Sequence, residues 1–516
     1  MTSNEPKQVV IAGGGIGGLA AALACAQRGV PVQLLERAPQ LSEVGAGIQI
    51  GPNVTRILQA WGLGDALAQV AAFPRRLQAR DARTGQVLGS LRLGERAQAL
   101  YGAPYASIHR ADLQALLHRA AQGAGVGMLL GQSVQGWQGS EAAVQVNTVE
   151  ALSFQASALI GADGVWSALR QQLLGDAPAR FTGHLAYRAL VAQADLPAHL
   201  RSDQVTVWMG PRLHVVHYPV RSGQWLNLVA IVHGAKPVNP NDWDQAGHTQ
   251  ALMQAMGAVG RDLHERLASV PAWRQWALHD RAPLSTPTQM AQGRVALLGD
   301  AAHAMLPYLA QGAGMAIEDA DALGRCLAMT GTDLPAQLAH YAQQRWQRNA
   351  RVQQRAIRNG QIFHARGLMG WGRDAAMRLL GQQFVMGENI ESALQRVQLN
   401  EARGYRHSFD MLGEAALTTA DAERYFAAYA QAIHAIGQAS DGRGVIAGPG
   451  ISVKLSALHP RYVRSQRARV MAELLPRLKG LLLLARQYDI GLNIDAEEAD
   501  RLELSLDLLE SLAVDP

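Results

Sequence analysis

Cysteine is almost missing from this 516-residue chain, which has only Cys25 and Cys326. Both lie in apolar, helix-like stretches without disulfide or metal spacing, so a reducing cytoplasm is the expected setting. Long hydrophobic runs are missing as well, which excludes a helical membrane span. The first strand-like run begins almost at once, so no signal peptide is expected. Blocks of lysine or arginine are also absent. The formal net charge of +5 is small for this length, and arginine far outnumbers lysine in the manner of a coding bias, so no nucleic-acid partner is expected. A chain this long exceeds a single core and should hold two or three domains.

What the chain does have is glycine where backbone must approach a ligand. Residues 8–12 form a short apolar strand, and Gly13-Gly14-Gly15-Ile16-Gly17-Gly18 then opens a helix over 19–28. A second strand, 32–35, ends in Glu36, about twenty residues past the glycines. In this context Gly13 allows the tight turn, Gly15 admits a pyrophosphate and Gly18 lets helix and strand pack closely. Glu36, followed by Arg37, can bind the ribose hydroxyl of an adenosine. The pattern is a dinucleotide fingerprint.

A second segment, 294–319, reads as a buried strand over 295–298 ending in Gly299-Asp300, then a Pro-bearing loop and a helix opening at Gln311-Gly312-Ala313-Gly314. Glycines at a helix start expose unpaired N–H groups, and the helix dipole there favours negative charge. Asp300 suits a ribityl chain, and the helix start suits the anionic edge of a reduced flavin. A third segment runs from the apolar strand 158–162 into Asp163-Gly164, with Ser167 as the N-cap of the following helix. By itself an Asp-Gly pair marks a turn.

Together, in this order and spacing, the three motifs resemble the group A flavoprotein monooxygenases, the single-component aromatic hydroxylases, over roughly residues 7–380. The likeness is to salicylate hydroxylase and 3-hydroxybenzoate 6-hydroxylase in particular. It implies an α/β architecture: a Rossmann-like FAD-binding fold with a β-sheet substrate domain. It also implies FAD as cofactor, NADH or NADPH as cosubstrate, and oxygen transfer from a flavin C4a-hydroperoxide to a small aromatic acid. Only one fingerprint is present, which fits a nicotinamide cofactor bound transiently and argues against two-fingerprint disulfide reductases and Baeyer–Villiger enzymes. By the same resemblance Asp163 serves both cofactors, Arg110 contacts FAD, and the loop 44–53, with Gly47, approaches the isoalloxazine ring. A homodimer is the possible assembly.

Between the Asp-Gly and Gly-Asp motifs, residues 185–191, 204–209, 213–218 and 224–232 alternate as strands of a sheet expected to lie over the flavin. Alternation puts His214 and Tyr218 on one face, with His217 pointing away. Such a pair can bind a phenol and accept its proton, an assistance typically worth 10²–10⁴-fold. The same two side chains can equally serve only to satisfy a core. The resemblance favours the catalytic role, since the matching pair assists the phenol in 3-hydroxybenzoate 6-hydroxylase. Where those enzymes carry Gln-Tyr, this chain has Pro307-Tyr308, so a substrate hydrogen bond is lost and a salicylate-like or other hydroxylated acid gains ground. Arg188 and Arg212 are the candidates for the carboxylate. His303 is read as a supporting group.

After a long helix over 334–363, the text changes at about residue 377. Segments 381–388, 404–416, 448–460 and 489–498 resemble the start of the proline dehydrogenase (β/α)8 barrel of bifunctional proline-utilisation proteins. Strand-like runs near 405–411, 451–457 and 490–494, separated by helices over 421–436 and 465–487, supply three of the eight strands a barrel needs. Lys454 and Asp495 match active-site positions of that family. The tail is expected to be a partial (β/α) barrel fragment with open edges and exposed apolar faces, without proline oxidation of its own. The expected domains are 1–180 with 275–380 for FAD, 181–274 for substrate, and 381–516 for the tail. Three alternatives stay open: a flavin-binding fusion without turnover, a chain that also oxidises proline, and a flavin oxidase or epoxidase.

Overall fold

The structure, a computed structural model, describes residues 8–41, 45–239, 242, 244–365, 390–401, 404–410, 416, 418–495 and 501–514. It divides into two compact units, Met1–Leu379 and Leu380–Pro516. Among the described residues, no helix is long and apolar enough to cross a membrane.

The first unit is built on a six-stranded sheet. Val9–Ala12 is buried along its whole length, as a strand covered on both faces must be. It pairs in parallel with Val32–Glu36 on one side and Ala158–Gly161 on the other. Val295–Leu297 continues the sheet beyond Ala158–Gly161, and Gly127–Leu130 beyond Val32–Glu36. The three motif strands are therefore neighbours, and their C-terminal ends bring the three glycine-bearing turns to one edge. Ligands bind at that edge in open α/β sheets. Helices Ile16–Ala26 and Gly312–Leu327 are largely buried, and both contribute to the core around this sheet.

A second sheet of eight strands forms the other layer of this unit. Its centre is the expected set, Arg180–Ala192, Trp225–His233, Leu213–Val220 and Val205–Gly210. Four strands that the sequence did not assign to it complete the sheet. Trp273–Asp280 and Gln245–Gly247 extend one side, while Arg76–Asp81 and Val87–Arg92 extend the other. Period-2 alternation divides the side chains between two faces. One face, with Tyr187, Ala189, Leu213, Val215, Leu228 and Ala230, packs with residues of helices Thr249–Met256 and Arg261–Ala268. The opposite face carries His184, Ala186, Arg188, His214, Val216, Tyr218, Ile231 and His233. The helix Leu334–Phe363 has the predicted bounds, starts from Asp333, whose side chain accepts from Ala336 N, and delivers Phe363 and His364 to that second face.

Among the described residues the second unit has three parallel strands in chain order, Ser408–Asp410, Gly450–Val453 and Leu492–Ile494. The run predicted over 451–457 ends as a strand at Val453 and turns into the short helix Leu455–Leu458. Part of the expected apolar exposure is present, at Val445, Ile446, Leu483, Leu502, Leu506 and Leu509. Helices Thr419–Ser440, Arg467–Gln487 and Leu502–Ala513 bury Tyr429, Ile433, Ile436, Leu474, Leu478, Leu504 and Leu508 with Ile451 and Val453 in a core of their own. Thr418 and Asp421 close a capping box at the first of these helices. The segments 366–373, 376–389 and 496–498, which carried part of both resemblances, lie outside the described residues.

Candidate functional site

The three fingerprint glycines have three different steric situations. A Cβ on Gly13, whose φ is +111°, would fall 2.3 Å from the Ala162 carbonyl oxygen, so this turn admits no side chain. A Cβ on Gly18 would fall 1.8 Å from the Gly13 oxygen. A Cβ on Gly15 would meet nothing within 4 Å. Open space at Gly15, ahead of the start of helix Ile16–Ala26, is what a pyrophosphate needs. Glu36 is anchored beside it, accepting from Gly14 N at 2.5 Å and Ala38 N at 2.8 Å. Arg37 is exposed. The acid thus braces the glycine turn.

Asp163 is tied to its own helix. Its carboxylate accepts from Ser167 Oγ at 2.6 Å and Leu169 N at 3.3 Å, and Ser167 caps the helix by accepting from Arg170 N. Burial raises the Asp163 carboxyl above its ordinary value despite these donors. Arg170 then reaches across to the Ala301 and Ala302 carbonyls at 3.1 and 2.7 Å, locking the Asp-Gly turn to the Gly-Asp turn. Asp300 is exposed and begins the short helix Asp300–His303 rather than ending the strand, which stops at Leu297. His303 is a supporting group. It is fully buried and bonds Asp319 at 2.5 Å, while Arg345 holds the same carboxylate at 2.7 Å. Burial alone would raise Asp319, but the His303 and Arg345 charges prevail and hold it down at about 2.

Gln311 is the N-cap of the helix that Gly312, Ala313 and Gly314 open, and a Cβ on Gly312 would meet nothing within 4 Å. A sixteen-residue helix with an open, glycine-bearing start fits the anionic edge of a flavin. The segment 44–53, expected as a loop, contains the strand Gly47–Ile50, paired with Ala106–His109, and then the start of helix Pro52–Ala60. Arg110 follows directly, its N–H donating to the Ala46 carbonyl at 3.0 Å.

Gly47 ties the strand Gly47–Ile50 to the eight-stranded sheet. Its N–H donates to Asn227 Oδ1 at 2.6 Å, and its carbonyl accepts from the Tyr218 hydroxyl at 2.6 Å. A Cβ there would lie 2.7 Å from the Tyr218 ring. His214 and Tyr218 do share a face, but the Tyr218 hydroxyl proton is committed to Gly47, and burial pushes its phenol well up. His214 is fully buried, its imidazole pushed down to about 3 by desolvation, and its Nδ1 lies 2.8 Å from His364 Nε2.

The partner that sequence reasoning missed is Tyr308. Its ring centroid is 5.1 Å from that of His214, with Phe363 5.4 Å from His214 on another side. The Tyr308 hydroxyl is buried and has no hydrogen-bond partner among the described residues. The position was noticed only for the proline before it. A tyrosine closing the Gly-Asp loop was the available signal. Of the two arginines named for a carboxylate, Arg188 is buried on this face, paired with Asp244 at 2.8 Å and stacked over Trp276 at 5.1 Å. Arg212 is exposed.

In the second unit Lys454 follows the middle strand and sits between two acids, 2.8 Å from Asp495 and 3.3 Å from Asp410. The hydrogen bond it donates to Asp495 raises its ammonium above the ordinary value.

Comparison with known proteins gives two matches along the chain. Residues 7–356 match the family model described as FAD binding domain, and residues 393–516 match the one described as Proline dehydrogenase. Over 365 residues the chain is 39% identical to the 3-hydroxybenzoate 6-hydroxylase of Polaromonas naphthalenivorans, covering 70% of this chain and 89% of that protein. Over 145 residues it is 69% identical to the bifunctional protein PutA of Salmonella typhimurium, covering 28% of this chain but 11% of that protein. Among solved structures, Klebsiella pneumoniae HpxO complexed with FAD and uric acid superposes with a TM-score of 0.65 at 26% identity, over 73% of this chain and 94% of that one.

Proposed function

Because the chain belongs to the family of FAD-dependent aromatic hydroxylases, we propose that its first unit consumes NADH or NADPH and O₂ to hydroxylate a small phenolic acid of the salicylate or 3-hydroxybenzoate kind. The observation that carries this reading is the buried sheet face where His214 and the unpartnered Tyr308 hydroxyl stand together against Phe363. An apolar aromatic wall with two polar groups matches a flat ring bearing an oxygen.

FAD would lie along Gly13, Gly15, Ile16 and Gly18, with Glu36 and Arg37 at the adenosine end. Asp300 would serve the ribityl chain, Gly312, Ala313 and Gly314 the pyrimidine edge, and Gly47, Arg110 and Asp163 the flanks. Bound there, it supplies the electrons and activated oxygen. The protein's part is to hold and polarise the phenol. With its Nδ1–H donated to His364, His214 has a bare Nε2 that accepts the phenol proton, which raises electron density on the ring. Tyr308 donates its free hydroxyl to a substrate oxygen. Tyr218, its own proton held by Gly47, accepts a hydrogen bond while fixing the strand Gly47–Ile50. Closure of this layer over the ring excludes water and favours coupled turnover.

A panel of hydroxybenzoates, added one at a time to the FAD-loaded protein with NADH or NADPH, tests the reading. At least one should stimulate nicotinamide oxidation and appear as a hydroxylated product. Oxidation that no member of the panel stimulates would count against it.

A further inference from the structure

Three more histidines meet beside His214, and the proposed hydroxylation uses none of them as a ligand. His184 and His233 face each other directly in the register of Arg180–Ala192 and Trp225–His233. His364 comes from the C-cap of Leu334–Phe363. His184 Nε2 is 3.2 Å from His233 Nε2, which is 3.1 Å from His364 Nδ1. One nitrogen of each ring lies within 4.8 Å of the other two.

The proton arrangement is constrained. Thr182 Oγ donates its single hydrogen to the Leu278 carbonyl at 3.0 Å, so towards His184 Nδ1, at 3.2 Å, it acts as acceptor. His184 therefore carries its proton on Nδ1 and turns a bare lone pair on Nε2 towards His233. At His364 the outward nitrogen, Nε2, faces His214 Nδ1 at 2.8 Å, which leaves Nδ1 as the inward one. With a metal on Nδ1, Nε2 would carry the proton and donate to His214, the reverse of the metal-free sense, so the ion would oppose acceptance of a phenol proton by His214. Three imidazole nitrogens thus converge, and two of the rings have their outer nitrogen engaged by a hydrogen-bonding neighbour. That is the usual surrounding of a metal-binding histidine, whose second nitrogen is fixed by an outer partner.

We propose that His184, His233 and His364 bind one divalent transition-metal ion of the zinc class, leaving a fourth position open to water or a substrate oxygen. Zinc–nitrogen bonds of 2.0–2.1 Å in a tetrahedron separate the nitrogens by about 3.3 Å. Two of the three edges already have that length, and the third closes by rotation of an imidazole. Imidazole ligands suit zinc, copper, nickel or iron and disfavour calcium and magnesium. Two of the ligands come from paired strands, which are rigid, and the third from a helix end. Bound there, the ion would stand one imidazole away from His214.

The test uses the full-length, FAD-loaded protein, dialysed against chelator and then equilibrated with zinc chloride. One zinc per chain is expected. His184→Asn and His233→Asn should each weaken binding at least tenfold while keeping the flavin spectrum, and His248→Asn, at an exposed site away from the cluster, should not. Zinc should also raise the thermal midpoint of the unaltered protein and leave that of His184→Asn in place. Cobalt(II) added to the unaltered protein gives an answer that needs no variant. A difference spectrum of a tetrahedral, nitrogen-bound ion is expected. Sub-stoichiometric zinc, variants that bind like the unaltered protein, or a purely hydrated cobalt spectrum would each overturn the proposal.

Discussion

Both units place charged side chains at the ends of parallel strands, and they differ in what else reaches those ends. In the first unit the motif strands Val9–Ala12, Ala158–Gly161 and Val295–Leu297 are neighbours although nearly three hundred residues separate the outer two in the chain. A second sheet then adds His214 and Tyr218, tied back through Gly47. In the second unit Lys454, Asp410 and Asp495 come from three adjacent strands, and the helix Thr419–Ser440 adds Tyr429, whose hydroxyl accepts from Lys454 N at 3.1 Å. Both units gather groups from separate segments at strand ends, as barrels do. Among the described residues the first draws them from two layered sheets, and the second from one three-stranded sheet and the helix packed on it.

The largest effect expected separates steric need from ligand need within one turn. Gly18→Ala, with its Cβ 1.8 Å from the Gly13 oxygen, should cost more than about 4 kcal/mol and give little folded, flavin-bound protein. Gly15→Ala, which meets nothing within 4 Å, should fold with an unaltered thermal midpoint in the FAD-free state and lose FAD affinity. Equal damage by both, seen in soluble yield and flavin content, would break the assignment of Gly15 to the pyrophosphate.

Next in size is the chemistry. His214→Ala should retain FAD and slow hydroxylation by roughly 10²–10⁴-fold, about 3–5 kcal/mol, or divert reduced flavin to hydrogen peroxide. Single-turnover rates and peroxide yield read this directly. Unchanged turnover and coupling would return His214 to a purely structural role.

Acid should act on the first unit in two stages. His217 and His109 are held below their ordinary value chiefly by burial. The unfolded chain therefore binds more protons below pH 6.5, and stability that is complete above 6.5 falls as the pH drops from there towards the folded values. Asp319, held at about 2, adds stability above its ordinary 3.8 that is lost as the pH falls from 3.8 towards 2. Lys454 in the second unit has the opposite sense, since its raised value gives stability that is present below 10.5 and lost as the pH rises through the folded value. Thermal midpoints followed by flavin release should fall from just under pH 6.5. A flat profile down to pH 4 would contradict the burial argument.

The smallest effect expected is none. Proline should not reduce a dye through this chain, and Lys454→Ala should change nothing in that assay, because three strand ends supply only part of a barrel site. Proline-dependent reduction abolished by Lys454→Ala would make the two units alike in function.

The sequence made some parts of this architecture readable and hid others, for physical reasons. Gly13, Gly18 and Ser167 were legible because turn geometry and helix capping are local, and the helix expected over 334–363 has those bounds, although its Asp333 cap was not read. The strands Arg76–Asp81 and Val87–Arg92 were not, since their pairing with Val205–Gly210 is decided by a register more than a hundred residues away. Tyr308 and the trio His184, His233 and His364 were hidden for the same reason. Each residue is ordinary where it stands in the chain, and only sheet register and the end of a helix bring them together. The commitment of Tyr218 to Gly47 was equally beyond reach, because alternation fixes the face of a side chain but not its partner.

The most direct test of the central claim follows the oxygen atom. The FAD-loaded protein would be given NADH or NADPH, the hydroxybenzoate that stimulates it best, and isotopically labelled O₂. The account predicts one labelled oxygen in each molecule of hydroxylated product, in step with the nicotinamide consumed. Nicotinamide oxidation that yields only labelled hydrogen peroxide, with the aromatic acid recovered unchanged, would contradict it.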